Sequence, residues 1–263
     1  MLVLGFDTAT PAVSVALHDG ERVLSAAAAV DARRHAELLA PMIAKVMADA
    51  GVARGDLGAV AVGVGPGPYT GLRVGVVTAR VLGSVLGRPV YGVCSLDVIA
   101  TSAGPGREFV VATDARRKEV YWARYDAAGH RVAGPAVGPA SSIPEAADLA
   151  VAGAGGQLYP EAFAEVTGPA YPDGGTLCGL VARSLTASSA LPSWAAACSA
   201  AQFSSLPPLL PAEPLYLRRP DAREPGPPKR VTQDWSGGTT PLDLPITRGL
   251  SAVPFPPDPP ARQ

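Results

Sequence analysis

The chain has 263 residues, 48% of them hydrophobic, which suits one large domain or two small ones with a proper core. A formal net charge of −1 gives no support to non-specific nucleic-acid binding through a basic surface. The three cysteines, Cys94, Cys178 and Cys198, have no metal-ligand spacing and fit a reduced intracellular compartment. The opening MLVLGFDTAT has no basic segment, and Asp7 interrupts its apolar run, so no secretory leader is expected. No stretch reaches the ~18 charge-free apolar residues of a membrane span. A cytoplasmic protein without membrane contact is the expectation.

Residues 2–8 (LVLGFDT) and 12–18 (AVSVALH) read as strands. Asp19-Gly20 is a hairpin signal, and 21–30 forms the returning strand. A helix follows over 33–50, with Asp31 as N-cap and Gly51 as stop. Its apolar stripe is Leu38, Leu39, Met42, Ile43, Val46 and Met47. Pro41 inside that pattern predicts a kink or a later start. Residues 59–65 (AVAVGVG) form a central parallel strand. The loop 66–69 leads into a helix over 70–86, then a strand over 90–93 and a short helix over 95–101. Gly104-Pro105-Gly106 marks a boundary.

The order then repeats, with strands over 109–114 (FVVATD), 119–125 and 131–137 and a turn at 126–129. A helix over 144–149, a strand over 151–154 and a helix over 177–186 follow. This predicts an internal duplication. The fold class is α/β with mixed sheets, in two related lobes over 1–103 and 104–220. A dinucleotide fold would instead open strand, Gly-rich turn, helix. Five prolines fall within 207–220, and 221–263 holds ten more with few large apolar groups. That tail is expected to be disordered, because it cannot bury enough surface to offset its ordering entropy.

Three features bear on chemistry. Asp7-Thr8-Ala9-Thr10 lies between two strands, where N–H groups and hydroxyls can cradle phosphate; the alternative is a turn whose polar groups satisfy each other. Gly67 and its neighbours precede a helix N-terminus, which favours anions, but the block lacks the lysine of a P-loop. Asp7, Thr8, Thr10 and Gly67 are therefore the candidate nucleotide-binding residues. On the helix over 70–86, Gly71, Gly75, Ala79 and Leu82 share a face. Glycine inside a helix costs roughly 1 kcal/mol relative to alanine, so two a turn apart predict a close helix–helix contact, internal or with another chain. Arg73 and Arg80 point elsewhere, either to pair across such a contact or to form a solvated face. No histidine–carboxylate cluster is readable, so no metal site is expected.

Several stretches together carry a resemblance. They are Arg34-His35-Ala36-Glu37-Leu38-Leu39, the block GVGPGPYTGLRVG over 63–75, Gly92-Val93-Cys94-Ser95-Leu96, and Pro214-Leu215-Tyr216-Leu217-Arg218. This chain resembles the bacterial TsaB (YeaZ) family over about residues 1–219. The resemblance implies an actin-like, sugar-kinase-like (ribonuclease H-like) fold. It also implies a non-catalytic subunit that pairs with its catalytic paralogue TsaD, and with a TsaE-like ATPase, to form threonylcarbamoyladenosine next to the tRNA anticodon. A homodimer is implied when the chain is alone, with tRNA met only through the complex. No cofactor would be tightly bound by the isolated chain, and ATP or ADP with Mg would enter at the level of the complex.

The helices over 35–47 and 70–86 resemble the family's interface helices. The implied partner contacts are His35, Leu38, Leu39, Met42 and Val46 on the first, and Gly71, Leu72, Arg73, Gly75, Val76, Ala79 and Leu82 on the second. A bulky residue at Gly75 is then expected to abolish partner binding and leave the monomer folded. The catalytic paralogue holds a metal through two histidines after the strand matched by 90–93. The matching positions here are Ser95 and Ile99, and neither replaces an imidazole. The rival reading is an ATP-binding or ATP-hydrolysing kinase-like enzyme of the same fold, built on Asp7–Thr10 and Asp114.

Overall fold

β1 (Val3–Asp7) and β2 (Ala12–His18) are buried along their whole length, because core clusters cover both faces of their sheet. Leu4 and Phe6 enter one cluster and Val3 the other, as strand alternation requires. The Asp19 carboxylate accepts N–H bonds from Glu21 and Arg22 at 2.8 Å and makes the expected turn. That turn consumes Glu21 and Arg22, so β3 (Val23–Val30) starts later than the sequence suggested. The computed structural model describes residues 1–104, 106–190 (side chains to 187) and 206–218. The expected tail over 221–263, and Cys198, lie outside them.

α1 (His35–Asp49) buries Leu39, Ile43, Val46 and Met47, the stripe its periodicity predicted. It runs through Pro41, which sits on the exposed side. Asp31 does not cap it. The Asp31 carboxylate accepts from the Arg33 and Arg34 N–H groups at 2.9 and 3.2 Å, and Arg34 holds the cap position. β4 (Ala59–Gly63) follows, then α2 (Tyr69–Leu86), which ends at Gly87 with φ +62, the left-handed stop that glycine favours. β5 (Val90–Val93) and α3 (Ser95–Ala103) complete the first half.

The second half holds β6 (Phe109–Asp114), β7 (Val120–Tyr125), β8 (Arg131–Gly138) and β9 (Ala150–Ala152). α4 (Ala154–Leu158), β10 (Glu165–Val166) and α5 (Gly174–Ala190) follow. The first sheet has order β3-β2-β1-β4-β5 and the second β10-β9-β6-β7-β8. Each opening strand pairs antiparallel with its hairpin mate and parallel with the strand on its other side. The expected duplication is thus present strand for strand, in two mixed sheets of an α/β fold.

Two expectations need correction. The helix over 144–149 is absent. Single 3-10 turns at Ala140–Ser142 and Ala146–Asp148 stand there, in a segment too short to offset helix nucleation. Ile143, Ala146 and Leu149 still cover one face of the second sheet. α4 and the two-residue β10 have too short a pattern to read. The lobe boundary at 103/104 separates the sheets but not the helices: Leu177, Leu180 and Val181 of α5 return to the first sheet against Val3, Ala59 and Ala61. α3 faces the second sheet, with Leu96, Ile99 and Ala100 on Phe109, Val111, Ala123 and Tyr125. No helix among the described residues is long and apolar enough to cross a membrane.

Residues 206–218 form a strap across these elements. Leu210 exchanges two 2.8 Å backbone bonds with Gly92 at the β5 edge, and the Leu215 N–H donates to the Val64 carbonyl at 2.8 Å. Leu210 and Leu215 pack on the core. This proline-rich run is docked on the core through those bonds and contacts.

Candidate functional site

The end of β1 delivers Asp7 into a sealed position. Its Oδ1 accepts the Ala9 N–H at 2.7 Å, and its Oδ2 accepts the Ser95 hydroxyl at 2.6 Å. The Ser95 Oγ in turn accepts the Gly65 N–H at 3.2 Å. Asp7 is fully buried, and burial raises its pKa above the ordinary carboxylate value against the opposing hydrogen bonds from Ser95 and Ala9. The first strand, the glycine loop and α3 therefore meet at one carboxylate.

Thr8 locks the same turn to α2. Its hydroxyl donates to the Gly71 carbonyl at 2.8 Å and accepts from the Gly75 N–H at 3.0 Å. Those are the two groups that an i→i−4 bond would join, so the side chain bridges the helix's own ladder. Such an approach requires bare backbone. A Cβ on Gly71 would stand 2.6 Å from the Thr8 carbonyl, and one on Gly75 would collide with the Thr8 hydroxyl. A Cβ on Gly67 would lie 2.9 Å from the Ala9 carbonyl carbon. His35 pins the start of α1 to this turn: its Nε2–H donates to the Thr10 carbonyl at 2.8 Å.

These contacts correct two sets of expectations. Asp7 and Gly67 are sealed by the chain itself, and the Thr8 hydroxyl is spent on α2, so the turn does not fit a nucleotide phosphate. Thr8 and Thr10 do line a cleft of about 260 Å3, together with Arg33, His35, Tyr69, Thr70 and Arg116. The small-residue face of α2 turns inward onto the β1–β2 turn and, at Gly71, also onto His35 of α1, so the close contact is internal. Leu39, Val46, Gly71, Leu72, Gly75, Val76 and Ala79 are buried in the chain's own core, and His35 is buried with them. Leu38, Met42 and Leu82 are half-buried against that core. Gly75 is consequently a poor position for a partner-specific substitution, since the clash falls within the monomer.

The outward side of α2 carries what sequence reasoning missed. Val77, Val81 and Val85 are 58%, 55% and 76% exposed. The same 3.6-residue period that marked the buried stripe would have revealed them as valines on the opposite face. At the N-terminal end of that face, Tyr69 and Tyr216 stack with centroids 4.3 Å apart. The Arg73 guanidinium lies 5.0 and 5.7 Å from their ring centres, and its Nε donates to the Tyr216 hydroxyl at 2.7 Å. Strap residue Arg218 continues to the second sheet, where it bonds the Ala115 carbonyl at 3.1 Å and pairs with Glu119.

The β6–β7 turn that Arg218 braces holds Arg116, Arg117 and Lys118 at φ of 60, 57 and 61. The left-handed region costs a side-chain-bearing residue roughly 1–2 kcal/mol. Lys118 is exposed. Lys118→Gly should therefore raise the unfolding temperature by roughly 2–4 °C, for about 1 kcal/mol relieved, in a thermal melt. Asp114 at this turn is held by the Arg116 N–H at 2.7 Å and its guanidinium at 3.2 Å.

Comparison with known proteins places this geometry. The family model described as "TsaD: tRNA N6-adenosine threonylcarbamoyltransferase" matches residues 26–170. The structure of YeaZ from Pseudomonas aeruginosa superposes with a TM-score of 0.64 at 30% identity, over 82% of this chain and 99% of that one. The chain belongs to the TsaB/YeaZ family. An uncharacterized Mycobacterium tuberculosis protein is 45% identical over 229 residues, 84% of this chain and 93% of its own. The Escherichia coli tRNA threonylcarbamoyladenosine biosynthesis protein TsaB is 37% identical over 129 residues, 48% of this chain and 55% of its own.

Within this TsaB/YeaZ-family chain, Ser95 and Ile99 are the positions that the resemblance matches to the metal-binding histidines of the catalytic paralogue. Both are buried, Ser95 in the Asp7–Gly65 clamp and Ile99 in the core between α3 and the second sheet. Cys94 beside them is inert as a nucleophile, because burial pushes its thiol up to about 12.

Proposed function

We propose that this chain is a non-catalytic subunit of a TsaD-type transferase complex that forms N6-threonylcarbamoyladenosine beside the anticodon of tRNA. It docks the catalytic paralogue on the outer face of α2 with the flanking side chains Leu38 and Met42 of α1. A second copy takes that face when the paralogue is absent. A TsaE-type ATPase, ATP or ADP with Mg, and tRNA engage the assembled complex in the cytoplasm.

The observation that carries this proposal is the direction of α2. Its glycine face is taken up inside the chain by Thr8, and Val77, Val81 and Val85 are left outside. The closed clamp at Ser95 supports the non-catalytic part. Co-purification tests it. Val77→Asp with Val81→Asp should weaken capture of the TsaD-type paralogue by about 100-fold or more, since each places a charge in an apolar contact. The melting temperature should hardly move, because exposed positions tolerate substitution within about 0.5 kcal/mol. Unchanged capture would refute docking on this face.

One observation favours a second role. Arg33 and Arg116 flank the cleft beside Thr10, a setting for an anionic ligand. Calorimetry of the isolated chain with ATP and Mg separates the two: binding with turnover that Arg33→Ala abolishes would establish an enzyme.

A further inference from the structure

α2 carries Arg73 and Arg80 and no acidic residue over its whole length from Tyr69 to Leu86. The two arginines are seven residues apart, two helical turns, and so lie on one flank. The apolar band of Val74, Val77, Val81 and Val85 runs beside them. Arg80 has no hydrogen-bond or ion-pair partner among the described residues. Arg73 is held in place by Tyr69 and Tyr216, its Nε donating to the Tyr216 hydroxyl and its guanidinium lying against both rings. A guanidinium fixed in this way loses less freedom when it meets a carboxylate.

Resting on the docking surface proposed above, we infer that α2 selects a partner helix whose apolar stripe is bordered by carboxylates. The α2 of a second copy cannot supply them. Closed pairs of identical chains are two-fold symmetric. Antiparallel pairing centred on Val77 sets each Arg73 near the other copy's Arg80, because 73 and 80 lie almost equally far from 77. Parallel pairing sets like against like. The acids of α1 offer little relief: Glu37 already faces Arg34 at 3.6 Å, and Asp49 already accepts from Lys45 at 2.7 Å. The homodimer is therefore the weaker complex, and an acidic partner displaces it. The discrimination comes from like-charge repulsion as well as from attraction.

Sedimentation velocity on the full chain, alone and with the TsaD-type paralogue, tests this inference. Arg80→Glu should weaken the mixed complex by about 10-fold or more and tighten self-association, since Arg73 then faces the introduced carboxylate across the two-fold axis. Arg80→Gln should fall between. Raising salt from about 50 to about 500 mM should weaken the mixed complex of the wild type, as exposed charges are screened. An Arg80→Glu chain with both associations unchanged, or both weakened alike, would overturn the charge assignment while leaving docking on the valine face intact. If the wild type fails to bind the paralogue, the docking proposal itself falls, and tighter self-association of Arg80→Glu still decides the charge argument.

Discussion

Gly67→Ala should lower the stability of the isolated chain by about 3 kcal/mol, seen as a fall in melting temperature of roughly 6–12 °C. A Cβ at this position would lie 2.9 and 3.0 Å from the carbonyl carbon and Cα of Ala9. Both are main-chain atoms of a buried turn, so no rotamer change relieves the overlap. The turn cannot retreat either. It is held by the Asp7 carboxylate on Ala9, the Thr8 hydroxyl on α2 and His35 on Thr10. Gly75→Ala should act in the same direction, through the Thr8 hydroxyl. A melt within 2 °C of wild type for Gly67→Ala would show that loop and turn are less closely packed than the geometry requires. The consequence for function is practical. Lost partner binding at Gly67, Gly71 or Gly75 would report a damaged monomer, whereas Val77, Val81 and Arg80 report the surface.

Arg131→Met should cost about 3 kcal/mol at pH 8 and distinctly less at pH 5. Asp97 of α3 is buried; it accepts the Tyr125 hydroxyl at 2.8 Å and faces the Arg131 guanidinium at 3.3 Å. Burial raises its pKa above the ordinary carboxylate value, and Arg131 followed by Tyr125 pulls it back. Without Arg131 the burial effect is opposed by Tyr125 alone. A carboxyl with a raised folded-state pKa binds more protons folded than unfolded, so its contribution to stability falls as pH rises through that window. The variant widens the window upward, and the loss is therefore largest where Asp97 must ionise. Urea midpoints at pH 5 and pH 8 would read this directly. An equal loss at both values would assign Arg131 a packing role. This cluster joins α3 to β7 and β8, so it also fastens the element carrying Ser95 to the second sheet.

Much of the fold was legible because its determinants are local. Short apolar runs marked β1 and β2, Asp19-Gly20 marked the first hairpin, and the stripe from Leu39 to Met47 marked α1. The repeated strand plan disclosed the duplication, since each sheet begins with the same three-strand meander. Short elements were not legible. β10 has two residues and α4 five, fewer than one pattern needs to repeat. The segment 144–149 has apolar residues at plausible spacing, yet its length leaves nucleation unrecovered.

The candidate site was legible in location and not in direction. Sequence reasoning picked out the β1–β2 turn and the glycine block, and these do meet. It could not show that they meet each other, because Thr8 bonds Gly71 and Gly75 across more than sixty residues of chain. Nor could it tell that the tight approach is mainly to a turn, with His35 of α1 beside it, since bare Cα atoms permit a turn or a helix alike.

The sequence by itself determined the two mixed sheets, their duplicated order and the small-residue requirement at Gly71 and Gly75, all of which follow from residue size, spacing and backbone freedom. Only the tertiary structure decided which side of α2 remains for a partner. That side depends on where a distant hydroxyl, histidine and carboxylate come to rest. By closing on the glycine face, they leave the valines and Arg80 facing out.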